Sequence, residues 1–198
     1  MDTWRTGMDN NGFSAIQIAA LGLFARNSYE GVSMSAISEA AGVKKPTIYS
    51  HFTGKSGLYL SLIGPCIRIE SARLKETLEG AGGVMERLRT YFDGFCERFC
   101  SDPPYLRFLM RALRLPPPEL KEMTEKICED HFSVMEETLA SFMEPLSPKR
   151  MSPADLARAY LGLLDGVQLA LVGGCGRMAL KAMNLWPLFE EAAGGEAA

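Results

Sequence analysis

The stretch from Ser33 to Phe52 constrains this chain more than any other, because it carries the pattern of two short helices joined by a tight turn. Ser33 is a good N-cap residue, and Gly42 can adopt the left-handed conformation that closes a helix without steric cost. Pro46 suits the start of a new helix, since its fixed φ angle is already helical. The pattern predicts a helix-turn-helix motif over residues 33–52.

The second helix of this motif has one apolar and one small polar face. Ile48 and Phe52 are four residues apart, so they point inward together. Thr47 and Ser50 point outward, where their hydroxyl and methyl groups can touch base edges in a DNA major groove, while neighbouring Lys and Tyr side chains hold phosphates. The residues predicted to contact DNA are Ser33, Ser35, Lys44, Lys45, Pro46, Thr47, Tyr49, Ser50, His51 and Lys55.

The motif and its flanks also resemble a known family. The sequence YEGVSMSAISEAAGVKKPTIYSHFTGKSGLY, preceded by a phenylalanine, is similar to the DNA-binding end of TetR-family transcriptional regulators. The resemblance runs from about Phe13 to Leu62. Beyond Leu62, only the helical character and the length agree with the family.

The resemblance implies an all-α fold of about nine helices and a function in transcription. We expect a flexible arm at residues 1–10, a three-helix DNA-binding head at 11–60, and a body for effector binding and dimerisation at 61–198. The expected partners are double-stranded DNA with a pseudo-palindromic operator, a second copy of the chain, and a small, apolar effector that releases a repressor. Lys55, after the recognition helix, is expected to hold a phosphate.

Composition agrees with an ordinary globular protein, at 47% apolar and 23% charged residues. The net charge of −3 is unevenly spread, because residues 1–60 hold five basic and four acidic side chains. Any phosphate contact must therefore use a local basic surface. The five cysteines form no CxxC pair and no apolar leader opens the chain, which favours a cytoplasmic protein. The apolar run Ala159–Gly176 contains Asp165 and is expected to be a helix rather than a membrane span.

The body shows helix signals separated by breaks rich in Gly and Pro, and no run alternates with the period of a strand. Pro65 has no N–H for the carbonyl of Ser61, so we expect the fourth helix to kink or restart there. The predicted breaks are Glu79–Gly83, Asp102–Pro104, Pro116–Pro118, Glu144–Pro153 and Gly173–Gly176.

Bulky, adaptable side chains in the body are candidates for an apolar effector pocket. From the residues alone, ordinary core packing is the better explanation, and it is the resemblance to a family of ligand-sensing regulators that favours the pocket. No cofactor and no catalytic arrangement are predicted. A soft-metal or redox site from Cys96, Cys100, Cys128 and His131 is a weaker alternative, because no tight zinc spacing is present. The pocket candidates are Phe92, Phe95, Cys96, Phe99, Phe108, Met110, His131, Phe132, Met135 and Gln168.

One helical face in the stretch Pro153–Val172 is lined only with small residues, which lets another helix approach closely. We expect two copies of this face to meet about a two-fold axis in a homodimer. Packing within one chain is the alternative. The residues of this predicted interface are Ala159, Gly162, Gly166, Ala170 and Gly173.

The leading hypothesis is therefore a ligand-responsive transcriptional repressor. A second hypothesis, from a different class, is a helical protein that binds a small molecule or a partner and whose head no longer binds DNA tightly. The single basic residue of the N-terminal arm, Arg5, favours that alternative.

Overall fold

The computed structural model describes residues 12–101, 103–146, 151–172 and 184–194. These residues form nine α-helices and one short 3-10 helix, and no strand occurs among them. The expectation of an all-α fold is confirmed. No helix within the described ranges is long and apolar enough to cross a membrane. The predicted arm at residues 1–10 lies outside the described residues.

The helices follow the breaks predicted from the sequence. Each described break ends one helix and starts the next within a residue or two, since Gly and Pro favour chain reversal over helix. The break at Gly173–Gly176 lies outside the described residues. The helices are α1 (Ala15–Arg26), α2 (Met34–Ala41), α3 (Lys45–His51), α4 (Lys55–Leu78), α5 (Val84–Ser101), α6 (Pro104–Arg114), the 3-10 helix (Pro118–Leu120), α7 (Lys121–Met143), α8 (Pro153–Val172) and α9 (Trp186–Ala192).

The chain forms two compact units. The first contains residues 12–70 and 103–129, and the second contains the other described residues. Helices α4 and α7 contribute residues to both units, so the units are a different division from the head and body predicted above. The boundary between head and body at residue 60 stays a prediction.

In the first unit, α1 packs against α2 and α6. Ser14 begins α1 with a capping box, in which its hydroxyl accepts from the Gln17 amide and the Gln17 side chain accepts from the Ser14 amide. Phe24 and Leu21 of α1 are almost completely buried. This helix therefore forms the centre of the first unit.

Helix α4 continues through Pro65 as a single helix, so of the expected kink or restart, the restart is wrong. The proline removes the donor to the carbonyl of Ser61. The side-chain amide of Gln17 donates to that carbonyl at 3.4 Å and to the Ser61 hydroxyl at 3.3 Å. A residue of α1 thus supplies a replacement hydrogen bond for the one that the proline cannot make.

In the second unit, α5 and α9 pack against α8. The core contains Phe92, Tyr160 and Trp186, all nearly inaccessible to solvent. The hydroxyl of Tyr160 donates to the carbonyl of Leu88 at 2.7 Å, which satisfies a polar group in an apolar interior.

Candidate nucleic-acid interface

The turn of the helix-turn-helix motif has the geometry that its sequence predicts. The Ser33 hydroxyl accepts from the Ala36 amide at 3.1 Å and so caps α2. Gly42 has φ 65° and ψ 29°, in the left-handed region. Its amide donates to Glu39 and the Val43 amide donates to Ser38, which is the Schellman arrangement that ends a helix.

Helix α3 begins at Lys45, so Pro46 occupies its second position, where the missing N–H is also of no consequence. Ile37 of α2 and Ile48 of α3 are completely buried and fix the angle between the two helices. Phe52, predicted to point inward, is only half-buried. The two buried isoleucines therefore hold the outer face of α3 in place.

The polar side chains of α3 lie on its exposed face. Tyr49 is 56% exposed. Lys44, Lys45 and Thr47 are also exposed and make no side-chain hydrogen bond or ion pair within the described part of the chain. The Ser50 hydroxyl donates to the Thr47 carbonyl at 2.8 Å, so its remaining lone pairs can only accept from a base. Of the predicted DNA contacts, Ser33, Ser35, Lys44, Lys45, Pro46, Thr47, Tyr49, Ser50 and His51 are exposed.

Lys55 differs from the other predicted contacts because its ammonium is bound within the protein. It donates to the carbonyl of Tyr29 at 2.9 Å and to that of Val32 at 3.2 Å. It also lies 4.3 Å from the centroid of the Tyr29 ring. Lys55 thus ties the start of α4 to the loop between α1 and α2. Its contact with phosphate stays a prediction, for which one N–H donor remains.

An aromatic cluster supports this loop within the first unit. Tyr59 makes edge-on contacts with Phe24, Tyr29 and Phe108 at centroid distances of 5.1–5.2 Å. Burial raises the pKa of the Tyr59 hydroxyl to about 12, against the opposing field of Arg111. Phe108 therefore takes part in the aromatic packing behind the motif, in line with the alternative of core packing.

A cavity of about 760 Å³ lies in the second unit, along the end of α4 and the end of α7. It was not found from the sequence, because its walls come from helix faces separated by about 60 residues. The Ser71 hydroxyl and the His131 Nε2 are 3.4 Å apart at its edge. Burial lowers the pKa of His131, which favours its neutral form. We call this cavity the α4–α7 groove. Its lining residues are Ser71, Leu74, Lys75, Leu78, Glu79, His131, Val134, Met135, Glu137, Thr138, Ser141 and Phe142.

Among the predicted pocket residues whose side chains the structure describes, only His131 and Met135 line this groove. Phe92, Phe95 and Cys96 are buried in the second unit, and Phe92 lies 5.3 Å from the ring of Trp186. Core packing, the alternative considered above, therefore accounts for these three. Met110, Phe132 and Gln168 do not line the groove either.

The reasons differ among these remaining residues. Met110 is buried in the first unit, together with Phe108. Phe132 is 41% exposed on α7. Gln168 is half-buried on α8 and does not line the groove. The side chain of Phe99 lies outside the described residues.

The predicted dimer face lies on α8. Ala159 and Gly162 are exposed, and a Cβ atom added at Gly162 would have no neighbour within 4 Å. Gly166 is half-buried. The side chain of Ala170 and the whole of Gly173 lie outside the described residues. The part of this face that the structure describes is thus open to a partner at Gly162.

Of the candidates for a soft-metal site, the structure describes the side chains of Cys96, Cys128 and His131. Cys66 and Cys128 are buried free thiols, Cys96 is also buried, and burial raises the pKa of Cys128 to about 11. Such thiols are poorly reactive, since the thiolate is the reactive form. Within the described ranges, no group of three or more His, Cys, Asp or Glu residues is placed to hold a metal ion. The side chain of Cys100 lies outside the described residues.

Two structural roles near the motif were missed from the sequence. The capping box of Ser14 and Gln17 has a local signal, Ser-x-x-Gln before an apolar run, and was detectable. The binding of Lys55 to the carbonyls of Tyr29 and Val32 has no such signal, because 23 and 26 residues separate the partners.

Comparison with known proteins agrees with this geometry. The family described as "Bacterial regulatory proteins, tetR family" matches residues 16–62, which include α2 and α3. The HTH-type transcriptional repressor ComR of Escherichia coli (strain K12) is 24% identical over 180 residues, which are 85% of each chain.

Two solved structures share the fold over most of their length. The fatty acid degradation regulator FadR from Bacillus halodurans has a TM-score of 0.71 and 20% identity, covering 92% of this chain and 98% of that one. The transcriptional regulator FadR from Bacillus subtilis, solved in complex with stearoyl-CoA, has a TM-score of 0.70 and 18% identity, covering 88% and 96%. At these identities the likeness concerns the fold.

Proposed function

The protein belongs to the TetR family of DNA-binding transcriptional regulators, and from this premise we propose that it is a repressor released from a palindromic operator by a small molecule. It acts in the cytoplasm as a homodimer. The proposal has three parts, which concern the DNA-reading surface, the dimer and the effector.

The exposed face of α3 is the observation that carries the proposal. It combines the unpaired cations of Lys44 and Lys45 with the hydroxyl of Thr47, which has no hydrogen-bond partner in the described part of the chain. Lysine ammonium groups bind phosphates, and a threonine presents both a hydroxyl and a methyl group to base edges. Thr47 is the leading candidate for reading bases, because the Ser50 hydroxyl already donates to a carbonyl.

The open face of α8 supports the homodimer. Gly162 has free space above its Cα, and Leu169 on the same helix is 61% exposed. An exposed apolar residue beside a small-residue surface loses contact with water when a second helix packs there. A dimer with two heads binds two half-sites as one bivalent unit, which raises its affinity for a palindrome.

The α4–α7 groove supports a small-molecule effector. Its volume lies in the range of typical ligand sites, about 300–1,000 Å³. Leucine, methionine and phenylalanine side chains line it, while His131, Ser71 and Lys75 offer polar contacts at its edge. We propose an elongated apolar effector with one polar end, a class that includes the stearoyl-CoA bound by the Bacillus subtilis relative.

DNA binding is tested by capture of genomic fragments on the purified protein, followed by affinity measurement for the enriched site. Thr47→Val keeps the shape of the side chain and removes the hydroxyl. It should weaken binding to the enriched site by about 1–3 kcal/mol and leave binding to random DNA almost unchanged. Thr90→Val makes the same change at an exposed helical threonine of the second unit and should have no effect. Recovery of no enriched site would contradict the proposal and favour the alternative of a head that no longer binds DNA.

The effector site is tested with stearoyl-CoA as the probe and the enriched DNA as the reporter. The probe should release wild-type protein from DNA. Met135→Trp fills part of the groove and should require a higher probe concentration, by about tenfold or more. Met123→Trp, at an exposed position of the same helix, is the matched control. Equal release of wild type and Met135→Trp would exclude the groove as the site of this probe.

A further inference from the structure

A second, smaller cavity lies in the first unit, and neither the motif nor the α4–α7 groove accounts for it. Its volume is about 130 Å³, and it is bounded by the loop at residues 27–30, by Tyr59 and Arg111, and by the segment at residues 115–118. We call it the Arg111 crevice. A cavity needs roughly 10–15 Å³ to hold one water molecule, so the crevice has room for several waters or for a small organic ligand.

Three polar groups of the residues that line the crevice have no hydrogen-bond partner in the part of the chain that the structure describes. The Arg111 guanidinium and the hydroxyls of Tyr29 and Tyr59 make no hydrogen bond or ion pair within the described ranges. Arg111 is close enough to Tyr59 for its charge to lower the tyrosine's pKa, although burial keeps that pKa near 12. The tyrosine is therefore a hydrogen-bond donor at neutral pH, and it stands beside an unpaired cation.

The remaining walls determine what else a ligand must contain. Leu115, Pro116 and Pro117 supply apolar surface to the crevice. Glu30 lines the rim, and Glu119 is near enough to raise the pKa of Tyr29. These two carboxylates disfavour a ligand with several negative charges. A guanidinium with a hydroxyl donor beside it matches a single carboxylate, which accepts two or more hydrogen bonds.

We propose that the Arg111 crevice binds a small monocarboxylate, with its carboxylate on Arg111 and Tyr59 and its compact apolar end against the proline segment. The site is separate from the proposed effector groove, and its binding requires no DNA.

The ligand would also contact the loop that Lys55 holds. In this loop the Gly31 amide donates to the Ser28 hydroxyl oxygen at 3.1 Å, and the Val32 amide donates to the Tyr29 carbonyl at 3.3 Å. Occupancy of the crevice stabilises the closed loop, so it should slow hydrogen exchange at these two amides.

The test uses benzoate as the probe with the full chain and no DNA. Titration calorimetry or ligand-observed NMR should show saturable binding at about 1 mM or tighter. Arg111→Gln should weaken it by about 10- to 100-fold, as expected for loss of a charge-assisted hydrogen bond. Arg114→Gln removes the same charge from the same helix outside the crevice and should bind benzoate like the wild type.

The chemistry of the probe provides a second discrimination. Benzamide has the same shape without the charge, and benzylamine carries the opposite charge, so both should bind at least about tenfold more weakly than benzoate. Equal binding of benzamide or benzylamine would overturn the assignment of a carboxylate. Unchanged benzoate affinity in Arg111→Gln would overturn the assignment of Arg111.

Hydrogen exchange of the wild type keeps the proposal testable if Arg111→Gln does not fold. Benzoate at saturation should slow exchange at Gly31 and Val32 in the wild type. Saturable binding without protection of these two amides would place the probe elsewhere and overturn the proposal. Absence of saturable binding at about tenfold higher concentration would overturn it as well.

Discussion

Removal of the Lys55 ammonium tests whether this residue supports the structure of the head. Lys55→Met keeps most of the alkyl chain and loses the hydrogen bonds to the carbonyls of Tyr29 and Val32 and the contact with the Tyr29 ring. Hydrogen bonds to charged groups contribute about 1.5–3 kcal/mol, and a partly exposed cation–π contact about 0.5–1 kcal/mol.

The two hydrogen bonds share one half-exposed ammonium, so their combined contribution to stability is smaller than twice the value for a single hydrogen bond to a charged group. We expect Lys55→Met to lower the free energy of unfolding by about 2–3 kcal/mol. At a urea m-value of about 2.5 kcal/mol/M, the midpoint should fall by roughly 1 M. Circular dichroism during urea titration measures this change.

The matched control is Lys45→Met, at an exposed lysine without a partner in the described part of the chain. It should change the unfolding free energy by no more than about 0.5 kcal/mol. If Lys55→Met is as stable as Lys45→Met, the structural role of Lys55 is refuted. The salt dependence of DNA affinity reports separately on the predicted phosphate contact, whose loss should lower the salt slope by about one unit.

Two further predictions concern the dimer and the groove. Gly162→Leu should leave the monomer as stable as the wild type, since the added Cβ has no neighbour within 4 Å. In a symmetric dimer the substitution occurs twice, and overpacking costs about 1–3 kcal/mol at each place. Sedimentation should therefore show that the dimer dissociates. A Gly162→Leu protein that remains fully dimeric would remove this face from the interface. Burial lowers the pKa of His131 from 6.5. Just below that pH, the unfolded chain therefore binds more protons than the folded chain. The free energy of unfolding should fall as the pH drops from about 7 towards 5. His131→Gln should lose this part of the pH dependence in urea titrations, and an unchanged profile would contradict the burial of a neutral imidazole.

Local sequence signals determined the helical fold and the DNA-reading motif. Gly42 permits the left-handed turn and Ser33 caps α2, and each acts through partners only a few residues away. The same holds for the predicted breaks, because Gly and Pro act on their own backbone or on the adjacent turn. Such effects need no knowledge of the rest of the chain.

The outcome at Pro65 and Lys55 was decided by contacts between distant parts of the chain. The proline predicted a kink or a restart of the helix. The helix does not restart, and Gln17, 44 residues before Ser61, donates to the carbonyl that Pro65 leaves without its helical donor. The sequence predicted only a phosphate contact for Lys55, whereas its ammonium also donates to the carbonyls of Tyr29 and Val32. Sequence spacing does not give the distance between such partners.

The positions of the two cavities could be learned only from the tertiary structure. An apolar helical face such as that of Phe92 and Phe95 fits a core as well as a ligand site, and only the position of the neighbouring helices separates the two. The α4–α7 groove and the Arg111 crevice are gaps left where side chains of distant segments do not meet. The spacing of apolar residues in the sequence shows which side chains are buried. The size and shape of the cavities between those side chains depend on how the helices pack.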